Sequence, residues 1–251
     1  MKTDSLYAYF VSEYEKPFTG WDFSHIEKRM TEDPLPWDYG AMVRELLPDA
    51  SALLDMGTGG GEFLSSLAPL PDETYATEGY TPNIPVARER LEPLGVGVVA
   101  VDSERLPFND ETFSHVINRH ESFDVNELYR VLKPGGIFLT QQVGGDNDID
   151  INRALSAPMP PYMDWNLTTA VSALEKAGFI LINQREHYYL ERYHDTGALL
   201  YYLKAIPWQV DDFAIDKYYD KLVAIHNEIR EEGFFSTRTH RFLIQAVKPA
   251  S

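Results

Sequence analysis

Between Ala50 and Val143 the chain alternates, in short steps, between apolar runs and segments of helical spacing. "SALLDMG", "TYATEGY", "VGVVAVD", "ETFSHVINRH" and "IFLTQQV" read as strands. "GEFLSSLAPL", "NIPVARERLEPLG" and "VNELYRVLKPGG" read as the helices between them, the last stopped by Pro134-Gly135. Continuous apolar strands linked by helices predict a parallel sheet with helices on both faces and right-handed crossovers. This pattern limits the architecture more than any other feature. A length of 251 residues fits one such domain with a small addition.

Past Gly144 the pattern loosens. "GGDNDIDINRALSAPMPPYMDW" reads as a polar, proline-rich loop over the sheet's edge. "NLTTAVSALEKAG" reads as a helix capped by Asn166 and stopped by Gly178. "FILINQREHYYLERY" reads as a strand, "ALLYYLKAIPWQV" and "IDKYYDKLVAIHNEIREEG" as two helices, and "HRFLIQAVKP" as a last strand. The first 40 residues are aromatic and broken by turn signals. The expected organisation is an N-terminal cap over residues 1–40 and a ligand-binding domain over 41–251, with a helical insertion at 196–233 before the last strand.

Composition excludes several classes. No run of about 18 apolar residues exists, so no membrane span or membrane partner is expected. The N-terminus has acids within its apolar part and no small-residue cleavage site, so no signal peptide is expected, and the expected location is cytoplasmic. There is no cysteine and no His/Asp/Glu spacing of a metal site, so no metal is expected. A net charge of −17 repels polyanions and disfavours nucleic acid as a partner. The oligomeric state is not readable.

The stretch that carries chemistry is "LLDMGTGGGEFL", residues 53–64. A strand, a glycine-rich turn and a helix bring a ligand close to backbone. A dinucleotide fingerprint requires G-x-G-x-x-G, and here Gly57 and Gly59 are followed by Glu62 in the third position, which argues against a pyrophosphate. A P-loop lacks its Gly-Lys-Ser/Thr. S-adenosylmethionine (SAM) has no phosphate and asks for several different partners. A helix N-terminus suits its carboxylate. Asp55 at the first strand end suits its ammonium, Glu78 at the second suits its ribose diol, and Asp102 after the third suits its adenine amine.

With these residues in view, the chain resembles the class I SAM-dependent methyltransferases, in the broad group called type 11. The resemblance rests on "LLDMGTGGGEFL", "ATEGY", "VDSERLPFNDETFSHVI" and "LYRVLKPGGIFLTQQ", four pieces in order over roughly residues 45–145. Ser103 stands where an alanine is usual. The resemblance implies a doubly wound α/β fold, a Rossmann-like sheet of seven mostly parallel strands with an antiparallel last strand and a small helical cap. It implies that Gly57, Thr58, Gly59 and Gly61 line the methionine end and that Asp55 holds the ammonium. It further implies that Glu78 grips the diol with Gly79 and Tyr80 near the adenosine, that Asp102 and Ser103 meet the adenine, and that Asn118 lies beside the methionine moiety.

Methyl transfer requires a positioned acceptor and sometimes a base. In "NRHESF" after the fourth strand, His120 is the candidate general base, with Glu121 weaker and Arg119 a possible anion binder. His25, His187 and His194 are further pocket candidates. Trp21, Phe23, Trp37, Tyr39, Tyr201, Tyr202 and Trp208 are candidates for an aromatic acceptor pocket, or else the cap's own core. The expected function is methyl transfer to a small-molecule acceptor. The alternatives are a methyltransferase acting on RNA or protein, and a SAM-binding protein without catalysis.

Overall fold

The computed structural model describes residues 4–18 and 23–250. Trp21, one of the aromatic candidates, lies outside them. In chain order the elements are α1 (Asp4–Tyr14), β1 (Met30–Glu32), α2 (Tyr39–Leu46), β2 (Leu53–Met56), α3 (Glu62–Ser65), β3 (Thr74–Glu78), α4 (Asn83–Leu91), β4 (Gly97–Ala100), β5 (Phe113–Arg119), α5 (Val125–Val131), β6 (Leu132–Val143), α6 (Ile149–Leu155), α7 (Leu167–Lys176), β7 (Ile180–Tyr193), α8 (Thr196–Ala205), α9 (Ile215–Glu232) and β8 (Phe235–Val247).

One sheet runs in the order β1-β7-β8-β6-β5-β2-β3-β4. The pairs β2–β3, β2–β5, β3–β4 and β5–β6 are parallel, and β8 lies antiparallel to β6. The reversed last strand is as expected. The strand count is not: there are eight strands among the described residues rather than seven. The added one, β1, is three residues of the N-terminal segment paired antiparallel with the end of β7, Met30 opposite Tyr193. So short a run carries no periodicity to read.

The chain divides into two compact units. One comprises residues 36–144, 165–187 and 241–251, and contains the parallel strands. Its core includes Leu54, Phe113, Val116, Leu128, Phe138 and Phe242. The other comprises residues 1–35, 145–164 and 188–240, with a core of Phe10, Leu155, Tyr193, Leu199 and Leu222 among others. Here Tyr201 and Tyr202 are buried, in ring contact with Phe18 and Phe23 respectively, whereas Trp208 is exposed. No helix among the described residues is long and apolar enough to cross a membrane.

Two local expectations change. Residues 144–165 are not all loop, because Ile149, Ile151 and Leu155 bury one face of α6. That helix starts at Asp148 in a left-handed conformation and without a side-chain cap, so the usual start signal is missing. Helix α3 is a single turn. The hydroxyls of Ser65 and Ser66 bond back to the Glu62 and Phe63 carbonyls, and Pro69 follows, which together end it early. Helices α2, α5, α7 and α8 begin on side-chain caps: Asp38, Asp124, Asn166 and Asp195 each accept from an amide of the first turn.

Helix α5 ends at Val131, earlier than its Pro-Gly signal, and β6 begins at once. A lysine from the far end of the chain holds this junction. Lys248 is buried, and its Nζ donates to the carbonyls of Tyr129 at 3.0 Å and Leu132 at 2.8 Å. A positive charge at a helix C-terminus is favourable. Lys248→Met should therefore lower stability by about 2 kcal/mol, since bonds from a charged donor contribute roughly 1.5–3 kcal/mol. Urea unfolding measures this, and a change under about 0.5 kcal/mol would mean that water replaces the ammonium.

Candidate functional site

The strand ends of the parallel sheet bring the sequence candidates together. Strand β2 lies between β5 and β3, so the crossovers leave it in opposite directions and open a crevice beyond its C-terminal end. The glycine loop occupies that end. Gly57, Gly59 and Gly61 all have positive φ, at 66°, 63° and 79°. A Cβ on Gly57 would come within 2.5 Å of the Glu121 side chain, so only glycine lets the two strand ends approach. The loop is tied to β3, with the Thr58 amide donating to the Thr77 carbonyl at 2.9 Å.

Asp55 is the second-last residue of β2, and all four residues of that strand are buried. It is 5% exposed. Burial pushes its carboxyl up to about 7; the Thr58 hydroxyl and Arg119 counter this, and Glu78 adds to it. A charged group held this far from its ordinary range at a strand end is a functional-site signature. Glu78 closes β3 and is 4% exposed. Its Oε1 accepts from the Tyr80 amide at 2.7 Å. Burial raises its pKa, amides of Tyr80, Gly59 and Gly79 oppose the rise, and Glu121 reinforces it.

Gly57, Gly79, Asp102 and Ser103 line one cavity of about 250 Å³, together with Met56, Thr77, Val101, Glu104, Leu106, Glu121 and Ser122. Asp102 and Ser103 are exposed at its rim, and Tyr80 is exposed. Three carboxylates line the cavity and no lysine or arginine does. That lining repels phosphates and accepts hydroxyls, amines and cations. The loop bearing Asp102 is braced by two residues that sequence reading passed over. Glu127 accepts from the Leu106 amide at 3.0 Å, and Arg130 donates to the carbonyls of Phe108 at 2.7 Å and Leu106 at 2.9 Å. Their spacing of three on α5 was the available signal. Glu62 needs a correction: it pairs with Arg90, which also donates to the Gly60 carbonyl. Its charge is thus compensated, and it is the acids of the cavity, not Glu62, that oppose a diphosphate.

On the other side of the loop, β5 supplies Asn118 and Arg119, and His120 follows it directly. Asn118 is fully buried. Its Oδ1 accepts from Gln142 at 2.9 Å, its Nδ2 has no partner, and the Tyr39 hydroxyl bridges its backbone. Arg119 is exposed, its guanidinium 4.3 Å from the centre of the Phe63 ring and 5.8 Å from that of Tyr39. His120 follows a cis peptide bond and keeps an exposed surface. Protein packed round its ring, then the charges of Arg241 and Arg119, hold its pKa well below the ordinary imidazole value. Trp37 and Tyr39 are buried and hydrogen-bonded, while His187 meets the Trp37 ring edge-on at 6.5 Å. His25 and His194 belong to the other unit.

Comparison with known proteins gives these features a setting. Residues 54–140 match the family model described as a methyltransferase domain. No curated protein matches the chain in sequence. Among solved structures, a protein of Bacillus halodurans whose assignment as a methyltransferase is provisional shares 24% identity with a TM-score of 0.61, over 84% of this chain and 99% of its own. The phosphoethanolamine N-methyltransferase 2 of Haemonchus contortus, in complex with S-adenosyl-L-methionine, shares 19% identity with a TM-score of 0.52, over 98% of this chain and 57% of its own. The [4+2]-cyclase SpnF shares 17% identity with a TM-score of 0.52, over 84% of this chain and 86% of its own. These likenesses are of fold. The domain match lies on the strands and loops that build the cavity.

Proposed function

We infer that this chain, a class I SAM-dependent methyltransferase, transfers the methyl group to a small-molecule acceptor. The observation that carries the reading is the acid-lined cavity at the glycine loop, between the ends of β2 and β3. Its chemistry fits the cofactor. The sulfonium and ammonium are cations, the ribose is a diol, and no phosphate is present to be repelled. The residues that would hold it are Asp55 for the ammonium, Gly57, Thr58, Gly59 and Gly61 against the methionine chain, and Glu78 for the diol. Gly79, Tyr80, Asp102 and Ser103 would meet the adenosine, and Asn118 would lie beside the methionine moiety. A volume of about 250 Å³ is below the roughly 300–1,000 Å³ of pockets that enclose a drug-sized ligand, so the cavity suits one part of the cofactor rather than all of it.

The bound cofactor supplies a methyl group already activated on sulfur, and the protein supplies position and electrostatics. Glycine at 57 lets Glu121 stand against the loop, which adds negative charge near the strand ends. Buried acids stabilise a cation there more strongly than they would in water. The acceptor must then be held against that group in line, which is an entropic contribution from the residues around β5. A small acceptor is favoured over RNA by the net charge of −17 and by a cavity without basic residues. Isothermal titration is the test. SAM and its demethylated product are expected to bind in the micromolar range, with NAD silent. Binding of NAD with SAM silent would overturn the reading.

A further inference from the structure

Trp37, Gln141 and His120 form a directed chain of hydrogen bonds. An indole nitrogen donates and cannot accept. Trp37 Nε1 lies 2.8 Å from Gln141 Oε1. That contact decides which end of the amide is oxygen, because the reverse orientation would face one N–H with another. The Gln141 nitrogen therefore turns to His120, with Nε2 3.0 Å from the ring's Nε2. An amide nitrogen also only donates. So His120 Nε2 must be the bare, accepting nitrogen, and the ring's hydrogen sits on Nδ1. Protonating Nε2 would again set one N–H against another.

The chain is rigidly placed. Trp37 and Gln141 are 9% and 6% exposed, which leaves little room for competing water. Gln141 is on β6 directly opposite Arg119 of β5, so the sheet register fixes its height beside His120. On the other side of the ring, Nδ1 has no partner among the described residues, and His120 is exposed. Arg119 next to it is exposed too, stacked on Phe63 and making no ion pair among the described residues. A stacked guanidinium keeps its N–H edge for a planar anion. Arg241 adds a second positive charge near the ring.

We propose that His120 meets the methyl acceptor as a hydrogen-bond donor through Nδ1–H, that Trp37 and Gln141 are positioning residues which hold this tautomer, and that the acceptor carries a carboxylate or similar anionic oxygen group gripped by His120 and Arg119. The proposal rests on the methyl-transfer reading above for its acceptor. A donor role replaces the general base expected from sequence, because the lone pair that a base would use is engaged by Gln141. The low pKa of the ring is consistent, since protonation would break the contact with Gln141.

The test is long-range proton–nitrogen NMR of the whole protein labelled at histidine nitrogens, with the His120 signals identified by their loss in His120→Gln. Expected is the Nδ1–H tautomer across pH 6–8. Trp37→Phe should release the amide and give a mixture of tautomers. Benzoate, titrated at constant ionic strength, should move the Nδ1 signal saturably, and Arg119→Gln should weaken that response at least several-fold. Should Trp37→Phe fail to fold, the wild-type spectra still decide. An Nε2–H tautomer, or a ring titrating at the ordinary imidazole pKa, would overturn the positioning role. An Nδ1–H ring indifferent to benzoate would overturn the anionic acceptor. SAM titration of the same sample separates these outcomes from a failure of the cofactor reading, because the tautomer is read without it.

Discussion

Asp55→Asn is expected to stabilise the protein by about 4 kcal/mol at pH 8, to change it little near pH 4, and to remove measurable SAM binding. The size follows from the shift. The buried carboxyl titrates at about 7 in the folded chain. In the unfolded chain it titrates near 3.9, and each pH unit between the two is worth about 1.4 kcal/mol. The sign follows from proton counts. Below about pH 4 the group is protonated in both states and contributes nothing. Between about pH 4 and 7 the folded state holds a proton that the unfolded state has lost, so stability falls as pH rises. Above about pH 7 the whole cost of burying the charge is present. Asparagine has no charge to bury, so its advantage should grow through that window. Urea unfolding of both proteins at pH 5 and pH 8 measures it. An equal difference at the two pH values would mean that Asp55 has no raised pKa.

The same acid should make ligand binding depend on pH in the opposite sense. A bound ammonium beside Asp55 lowers its pKa, so binding below about pH 7 must expel a proton. Affinity should then fall about tenfold for each pH unit below the folded pKa. Titrations in two buffers of different ionisation enthalpy would detect the released proton. A group that destabilises the empty fold and is relieved by a cation is a trade of stability for function.

Much of this site was legible because its signals are local. Asp55, Gly57, Glu78 and Asp102 each sit at or within two residues of a strand end, and short apolar strands followed by a glycine or an acid announce their own ends. The helices with a capping acid or amide at 38, 124, 166 and 195 carry their starts in the sequence. What escaped was long-range or unsigned. Strand β1 exists only because β7 offers an edge to pair with. Helix α6 begins without a cap. Lys248 reaches the end of α5 across more than 100 residues, and Trp37 reaches Gln141 across a similar separation. No periodicity connects such positions. The aromatic candidates show the same limit: Trp37 and Tyr39 belong to one unit, Phe23, Tyr201, Tyr202 and Trp208 to the other, and among these Phe23 is partly exposed, Trp208 is exposed and the rest are buried.

Glu78→Ala is expected to weaken SAM binding by about 30- to 150-fold while leaving the fold intact. The carboxylate ends β3 at 4% exposure, and its Oε1 is anchored by the Tyr80 amide at 2.7 Å. That bond fixes its direction before any ligand arrives, so little ordering entropy is lost on binding. Hydrogen bonds to a charged acceptor contribute roughly 1.5–3 kcal/mol. Loss of about 2–3 kcal/mol corresponds to the stated fold-change. Glu78→Gln keeps the size but turns one oxygen into a donor, so it should fall between alanine and wild type. The diol contact is isolated by a cycle with a cofactor analogue lacking the 2′-hydroxyl. Wild type should bind that analogue more weakly than SAM, whereas Glu78→Ala should bind the two alike. Equal affinity of wild type and both variants for SAM would leave Glu78 as an anchor for the Tyr80 turn, with no part in holding the ribose.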